Sequence, residues 1–187
     1  MTVARAASHL SAEGSAVYAA LDLGTNNCRL LIACPTGGSF RVIDSFSRIV
    51  RLGEGISLTG RISEAAMDRA IAALVVCRDK MRARKAGRLR LIATEACRAA
   101  ANSEDFRNRV AAATGIELEV IDRETEAALA VIGCSPLIHP KARGAILFDI
   151  GGGSTELVRI ERDREGGNPD IKAWMSIPVG VVTLAER

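Results

Sequence analysis

From Tyr18 onward, short apolar stretches alternate with polar turns. Tyr18 to Leu23 and Cys28 to Cys34 are apolar runs separated by GTNN, which predicts a β-hairpin, and Phe40 to Leu52 alternates well enough for a third strand. The period then changes. The segment SEAAMDRAIAALVVCRDKMRARKAG opens on Ser63, a suitable N-cap, and sets Met67, Ala70, Ile71, Leu74 and Val75 on one helical face before stopping at Gly87. This predicts an amphipathic helix. Next come RLRLIATE as a buried strand, NSEDFRNRVAAATG as a helix from Ser103 to Gly115, IELEVID as a strand and RETEAALAVIGC as a helix. The order β-β-β-α-β-α-β-α predicts an α/β fold, with a mixed sheet flanked by helices. HPKARG, around Pro140, reads as a linker. Two strand-like stretches follow Gly144, and SIPVGVVTLAER then reads as the start of a helix.

One pattern occurs twice. AALDLGTNNCRLLI, from Ala19, and ILFDIGGGSTELVR, from Ile146, both run as apolar strand, Asp, apolar residue, Gly, turn and apolar strand. Aligning Asp22 with Asp149 also aligns Gly24 with Gly151 and Leu30 with Leu157. The second hairpin is therefore expected to begin a second copy of the first topology. The bare run Gly151, Gly152, Gly153 can be a simple tight turn, but without Cβ atoms it can also aim several N–H groups at one anion, and it allows the positive φ expected of such a turn. Two opposed loops of this kind fit a phosphate. Asp149, ending the incoming strand, is then placed to hold magnesium through a hard oxygen.

Composition narrows the classes. With 187 residues and 48% apolar side chains the chain can bury a core. A net charge of +3 and 3% aromatics give no footprint for nucleic acid or an anionic membrane. Cys28, Cys34, Cys77, Cys97 and Cys134 form no C-x-x-C pair, and His9 and His139 lack metal-ligand spacing, so a reduced cytoplasmic setting without zinc is expected. Residues 1–16 read as a loose tail rather than a signal sequence, and nothing later is long and apolar enough to span a bilayer.

DLGTNNCRLLIA, ATEACRAA, DRETEAALA and FDIGGGSTELV, in this order and spacing, resemble the exopolyphosphatase and guanosine pentaphosphate phosphatase (Ppx/GppA) family, from about Tyr18 to the last residue. That family lies within the superfamily of actin, chaperone ATPases and sugar kinases. The resemblance implies an actin-like ATPase, ribonuclease H-like fold. Residues 17–138 would form the first domain with a connecting helix, and 139–187 the start of a second, incomplete one. The expected reaction is release of terminal phosphate from inorganic polyphosphate with Mg2+. Hydrolysis of guanosine pentaphosphate, or a phosphate-binding module without turnover, stands as the alternative.

The resemblance also implies roles. Glu126 of DRETEAALA matches the glutamate that activates or orients the attacking water, although an acidic residue in a first helical turn also suits the helix dipole. Many relatives carry a second acidic residue directly before it, where this chain has Thr125. Glu156 matches a position that holds water or metal, and alternation sets it opposite Thr155 and Leu157. Asn26, Arg98, Gly151, Gly152, Gly153 and Ser154 match the phosphate-binding positions, with Asp149 and Glu156 at the metal. Thr25 and Asn27 replace two serines common in the family, and hydroxyl and amide groups still bond phosphate oxygens.

The basic run KMRARKAGRLR, from Lys80 to Arg90, either steers an acidic polymer or complements a helix C-terminus. An incomplete second domain is expected to leave an apolar face and a sheet edge that favour a homodimer.

Overall fold

The structure, a computed structural model, describes residues 16–163, 167 and 169–186. Most of the proposed N-terminal tail therefore lies outside the described residues. Two sheets are present. The first has the order β3-β2-β1-β4-β5, from β1 (Tyr18–Leu23), β2 (Asn27–Thr36), β3 (Ser39–Ile49), β4 (Arg88–Ala93) and β5 (Glu119–Val120). The hairpin strands pair antiparallel, whereas β4 and β5 join parallel, giving the mixed sheet expected of the actin-like ATPase fold.

Alternation along β1 decides which face is covered. Ala19, Leu21 and Leu23 are buried with Cys28, Leu30 and Ile32 of β2, while Tyr18 and Ala20 on the other face are exposed. The covered face packs against α2 (Glu64–Ala83), whose Met67, Ala70, Leu74 and Cys77 are fully buried, and the cluster extends to Phe106 and Val110 of α4 (Ser103–Thr114). Full burial of side chains the size of Met67, Leu74 or Phe106 contributes about 1.5–3 kcal/mol each. Ser63 caps α2 by accepting from the Ala66 amide at 3.3 Å. The helix ends at Ala83, four residues before the glycine expected to stop it.

Shorter pieces complete the first unit. The strand expected over IELEVID shrinks to the two residues of β5, and the extension of β3 to Leu52 is absent, because the chain turns inward there to bury Val50 and Leu52. Two helices carry no sequence period of their own: α1 (Ile56–Thr59) and α3 (Glu95–Ala99). Four or five residues are too few to show one.

The second sheet runs β6-β7-β8, all antiparallel, from β6 (Gly144–Ile150), β7 (Thr155–Glu161) and β8 (Asp170–Ile177). It holds three strands where two were expected. β8 escapes the period-2 pattern because most of its residues are exposed on both faces. One face is covered by α5 (Arg123–Cys134), whose Ala127 and Val131 pack on Val158 and Ile160. This helix, expected to connect the two units, packs on the second sheet. The short α6 (Val181–Ala185) follows β8. Ile146, Phe148 and Ile150 of β6 stay exposed on the uncovered face, each by more than 60%. No helix among the described residues is long and apolar enough to cross a membrane.

Candidate functional site

Both repeated hairpins close in the same way. The Gly24 amide donates to the Asn27 carbonyl, and the Gly151 amide donates to the Ser154 carbonyl, each at 2.9 Å. The four-residue loops join Leu23 to Cys28 and Ile150 to Thr155, each an antiparallel partner pair. The alignment of Gly24 with Gly151 is thus matched by a shared backbone bond.

The two loops face each other in contact. An added Cβ on Gly152 would lie 3.0 Å from Thr25 Cβ and 3.1 Å from the Asn26 amide nitrogen; one on Gly153 would lie 2.8 Å from Thr25 Oγ1. None of the three glycines adopts the left-handed φ expected of this turn. The bareness of Gly152 and Gly153 answers to the opposite loop, whereas a Cβ on Gly151 would meet its own loop, 3.1 Å from the Ser154 carbonyl oxygen. Thr25 is itself pinned from behind, where a Cβ on Gly53 would fall 2.2 Å from its methyl group. Behind the second loop, Gly180 packs so closely that a Cβ would come within 2.6 Å of three backbone atoms of Gly151 and Gly152. The Val181 and Val182 amides bond the carbonyls of those two residues at 3.0 and 2.9 Å.

Between the loops lies a cavity of about 190 Å³, bounded by Gly24 to Asn27, Gly151 to Ser154, Asp22, Asp149, Glu126 and Arg29. Asp22 and Asp149 occupy equivalent strand ends. Burial pushes the Asp22 carboxyl up, Arg29 draws it down, and the Asp149 charge pushes it up again. Glu126 and Glu95 join this aspartate pair in the wall, where Arg29 is the one cation among the described residues, so the lining repels bare phosphate. Such a pair is a donor set magnesium accepts, since that ion takes one or two carboxylates and completes its shell with waters and phosphate oxygens. Among the described residues no group of three or more His, Cys, Asp or Glu converges as an all-protein metal cage.

Glu126 enters from the first turn of α5, whose N-cap Asp122 accepts from the Thr125 amide at 2.7 Å. Burial raises its carboxyl above the ordinary glutamate value; Arg98 opposes this, and the charges of Glu156 and Asp22 add to it. Glu156 is only 2% exposed and accepts from Ser176 Oγ at 2.8 Å. It pairs across the strands with Asp149, which lines the cavity, while Glu156 itself lies outside the lining.

Arg98 is held by several neighbouring groups. Its Nε and Nη2 donate to Glu95 Oε2 at 3.1 and 2.9 Å, Nη1 to the Ile121 carbonyl at 2.8 Å, and Nη2 to Glu126 Oε2 at 2.7 Å. It bonds Glu126 without lining the cavity itself. Expected residues brought to the cavity are Asn26, Glu126, Asp149, Gly151, Gly152, Gly153 and Ser154. The sequence reading passed over Asp22 as a site residue, although its repeat partner Asp149 marks it, and over Arg29 and Glu95. The Glu95 signal was the i, i+3 spacing to Arg98 within TEACR. The basic run does not line the cavity: Lys80 and Arg84 pair with Asp44, and Arg90 with Glu119.

Residues 31–187 match the Ppx/GppA phosphatase family. Among solved structures, the Ppx/GppA family member of Aquifex aeolicus is 32% identical with a TM-score of 0.74, over 92% of this chain and 54% of that one. An exopolyphosphatase from Cytophaga hutchinsonii is 28% identical with a TM-score of 0.82, over 91% and 53%. An exopolyphosphatase-like protein is 29% identical with a TM-score of 0.83, over 93% and 54%. This chain thus spans about half the length of the structures it matches.

Proposed function

The chain belongs to the Ppx/GppA phosphatase family, and from that premise we propose that it hydrolyses the terminal phosphoanhydride bond of inorganic polyphosphate. The observation that carries this reading is the pair of identically closed loops facing across a cavity with Glu126 in its wall. A terminal phosphoryl group seated there meets the Gly151 to Ser154 loop on one side and Asn26 on the other, so that amide and hydroxyl donors surround its oxygens. Glu126 holds a water against the phosphorus, opposite the departing oxygen, and takes its proton as attack proceeds. Asp22 and Asp149 are the residues that would hold magnesium, which when bound offsets phosphate charge. The rest is positioning: the donors are fixed by backbone bonds before substrate arrives, so little reorganisation remains at the moment of reaction.

Guanosine pentaphosphate presents the same kind of terminal anhydride, so the test compares both. Phosphate release is measured with magnesium on long polyphosphate and on guanosine pentaphosphate, alongside Glu126→Gln. Loss of the base is expected to lower kcat by about 100-fold or more with KM little changed. A variant that turns over like the wild type would remove Glu126 from the chemistry. Binding of either substrate with no release by the wild type would assign the chain to phosphate binding alone. The five free cysteines fit a reducing, cytoplasmic setting, and the exposed Ile146, Phe148 and Ile150 offer a face for a homodimer.

A further inference from the structure

Glu95 is the most heavily engaged carboxylate near the cavity. It is 8% exposed, and it accepts from two arginines of different elements: Arg98 of α3 through Oε2, and Arg123 of α5 through Oε1 at 2.8 Å. Its Cγ also lies where a Cβ on Gly153 would come within 3.2 Å, so it sits against the second loop. Of the five N–H groups a guanidinium carries, Arg98 commits two to Glu95, one to the Ile121 carbonyl and one to Glu126. The fork that bonds Glu126 is thus aimed by Glu95.

We propose that Glu95 is a positioning residue that holds Arg98 against Glu126, and that Arg98 orients the water-holding carboxylate instead of gripping phosphate. This rests on the reading of Glu126 as the water's base. A half-buried arginine needs its charge met, and a carboxylate bonded by both Nε and Nη2 fixes the plane of the guanidinium as well as its position. With the plane fixed, the remaining Nη2 hydrogen points at Glu126 Oε2 and leaves that carboxylate's other oxygen for water. Arg123 closes the clamp from α5, the helix that carries Glu126, so one carboxylate ties the helix to the arginine that steers its side chain.

The test compares Glu95→Gln, which keeps the volume and one acceptor, with Arg98→Ala and the double variant, after far-UV circular dichroism has shown each to be folded. Glu95→Gln is expected to lower kcat about tenfold or more while leaving KM within about twofold, and the double variant to be no worse than Arg98→Ala alone. A raised KM with unchanged kcat in Arg98→Ala would return that arginine to phosphate binding, and additive losses would separate Glu95 from it. A second readout needs no turnover. In 15N spectra the Arg98 Nε–H is expected to be protected from solvent exchange in the wild type and in Glu126→Gln, and to lose protection in Glu95→Gln. Unchanged protection in Glu95→Gln overturns the anchoring whether or not the chain proves to be a hydrolase. Failure of the hydrolase reading shows separately, as absence of phosphate release from the wild type.

Discussion

Replacing Gly180 by alanine tests whether close packing behind the second loop shapes the site. The backbone there is extended, at φ −135° and ψ −177°, so alanine meets no conformational penalty and the effect isolates sterics. Its Cβ would fall 2.5 Å from the Gly151 carbonyl oxygen and from the Gly152 carbonyl carbon, and 2.6 Å from the Gly152 oxygen. All three are backbone atoms of a hairpin turn, so none can swing aside. If the contact stays closed, overpacking of this kind costs about 1–3 kcal/mol. If α6 retreats instead, the amide bonds of Val181 and Val182 to that loop are lost, at about 1 kcal/mol each. Both routes are compatible with a loss of about 2 kcal/mol, which for a chain of this size lowers Tm by roughly 4–8 °C. Thermal unfolding measures the cost, and titration with tripolyphosphate in magnesium measures the loop, where weaker binding is expected. Gly133→Ala is the control: nothing lies within 4 Å of its Cβ position near the end of α5, and it should be neutral or stabilising by up to about 1 kcal/mol. A Gly180→Ala protein matching wild type in both Tm and affinity would refute the argument that this contact shapes the loop.

Two further outcomes follow from the ionisable groups. Because burial raises the Glu126 carboxyl above its usual 4.5, and the base works only when ionised, kcat/KM for phosphate release should fall as pH drops through a midpoint above 4.5; a midpoint at or below that value would count against Glu126 as the base. Bonds from Lys80 and Arg84 hold Asp44 down to about 2 from 3.8, so its stabilising effect is complete above the unfolded value and disappears as pH falls through the folded one. Asp44→Asn should therefore unfold at a lower temperature than wild type at pH 6, with the gap closing by about pH 2; a gap that persists in acid would assign the effect to packing.

Much of the fold was legible because its signals are local. The first hairpin, α2, α4 and α5 announce themselves by period, and α2 also by its cap Ser63; the repeated Asp-x-Gly hairpin points to the second sheet and to the family. What escaped depends on distant partners. β8 lacks alternation because its uncovered face gives its side chains nothing to discriminate. The motif marks Glu156, but nothing local in it names its partner, the Ser176 hydroxyl, twenty residues away on that strand. Arg98 carried a phosphate-binding expectation from its motif, but Glu95, three residues earlier, and Glu126, on another helix, claim most of its hydrogens. A motif fixes which residues are near the chemistry; their partners decide what each is free to do.

The glycines make the same point from the opposite direction. Gly53, Gly152 and Gly153 surround Thr25, whose side chain a Cβ on any of them would crowd, and Gly180 lies against the backbone of the second loop. The cavity is therefore defined by the mutual seating of two loops from different sheets. That seating is fastened on one side by Glu95 bonded to Arg123 of α5. On the other, the Glu186 carboxylate just past α6 accepts from the Gly55 amide at 2.8 Å and Ser57 Oγ at 2.7 Å. Donors that stabilise a transferring phosphoryl group lose most of their effect when displaced by about 1 Å. On the proposed reading, the residues that set the distance between the loops bear on catalysis as directly as those that would touch phosphate, and Gly152 and Gly153 are where that distance is written into the sequence.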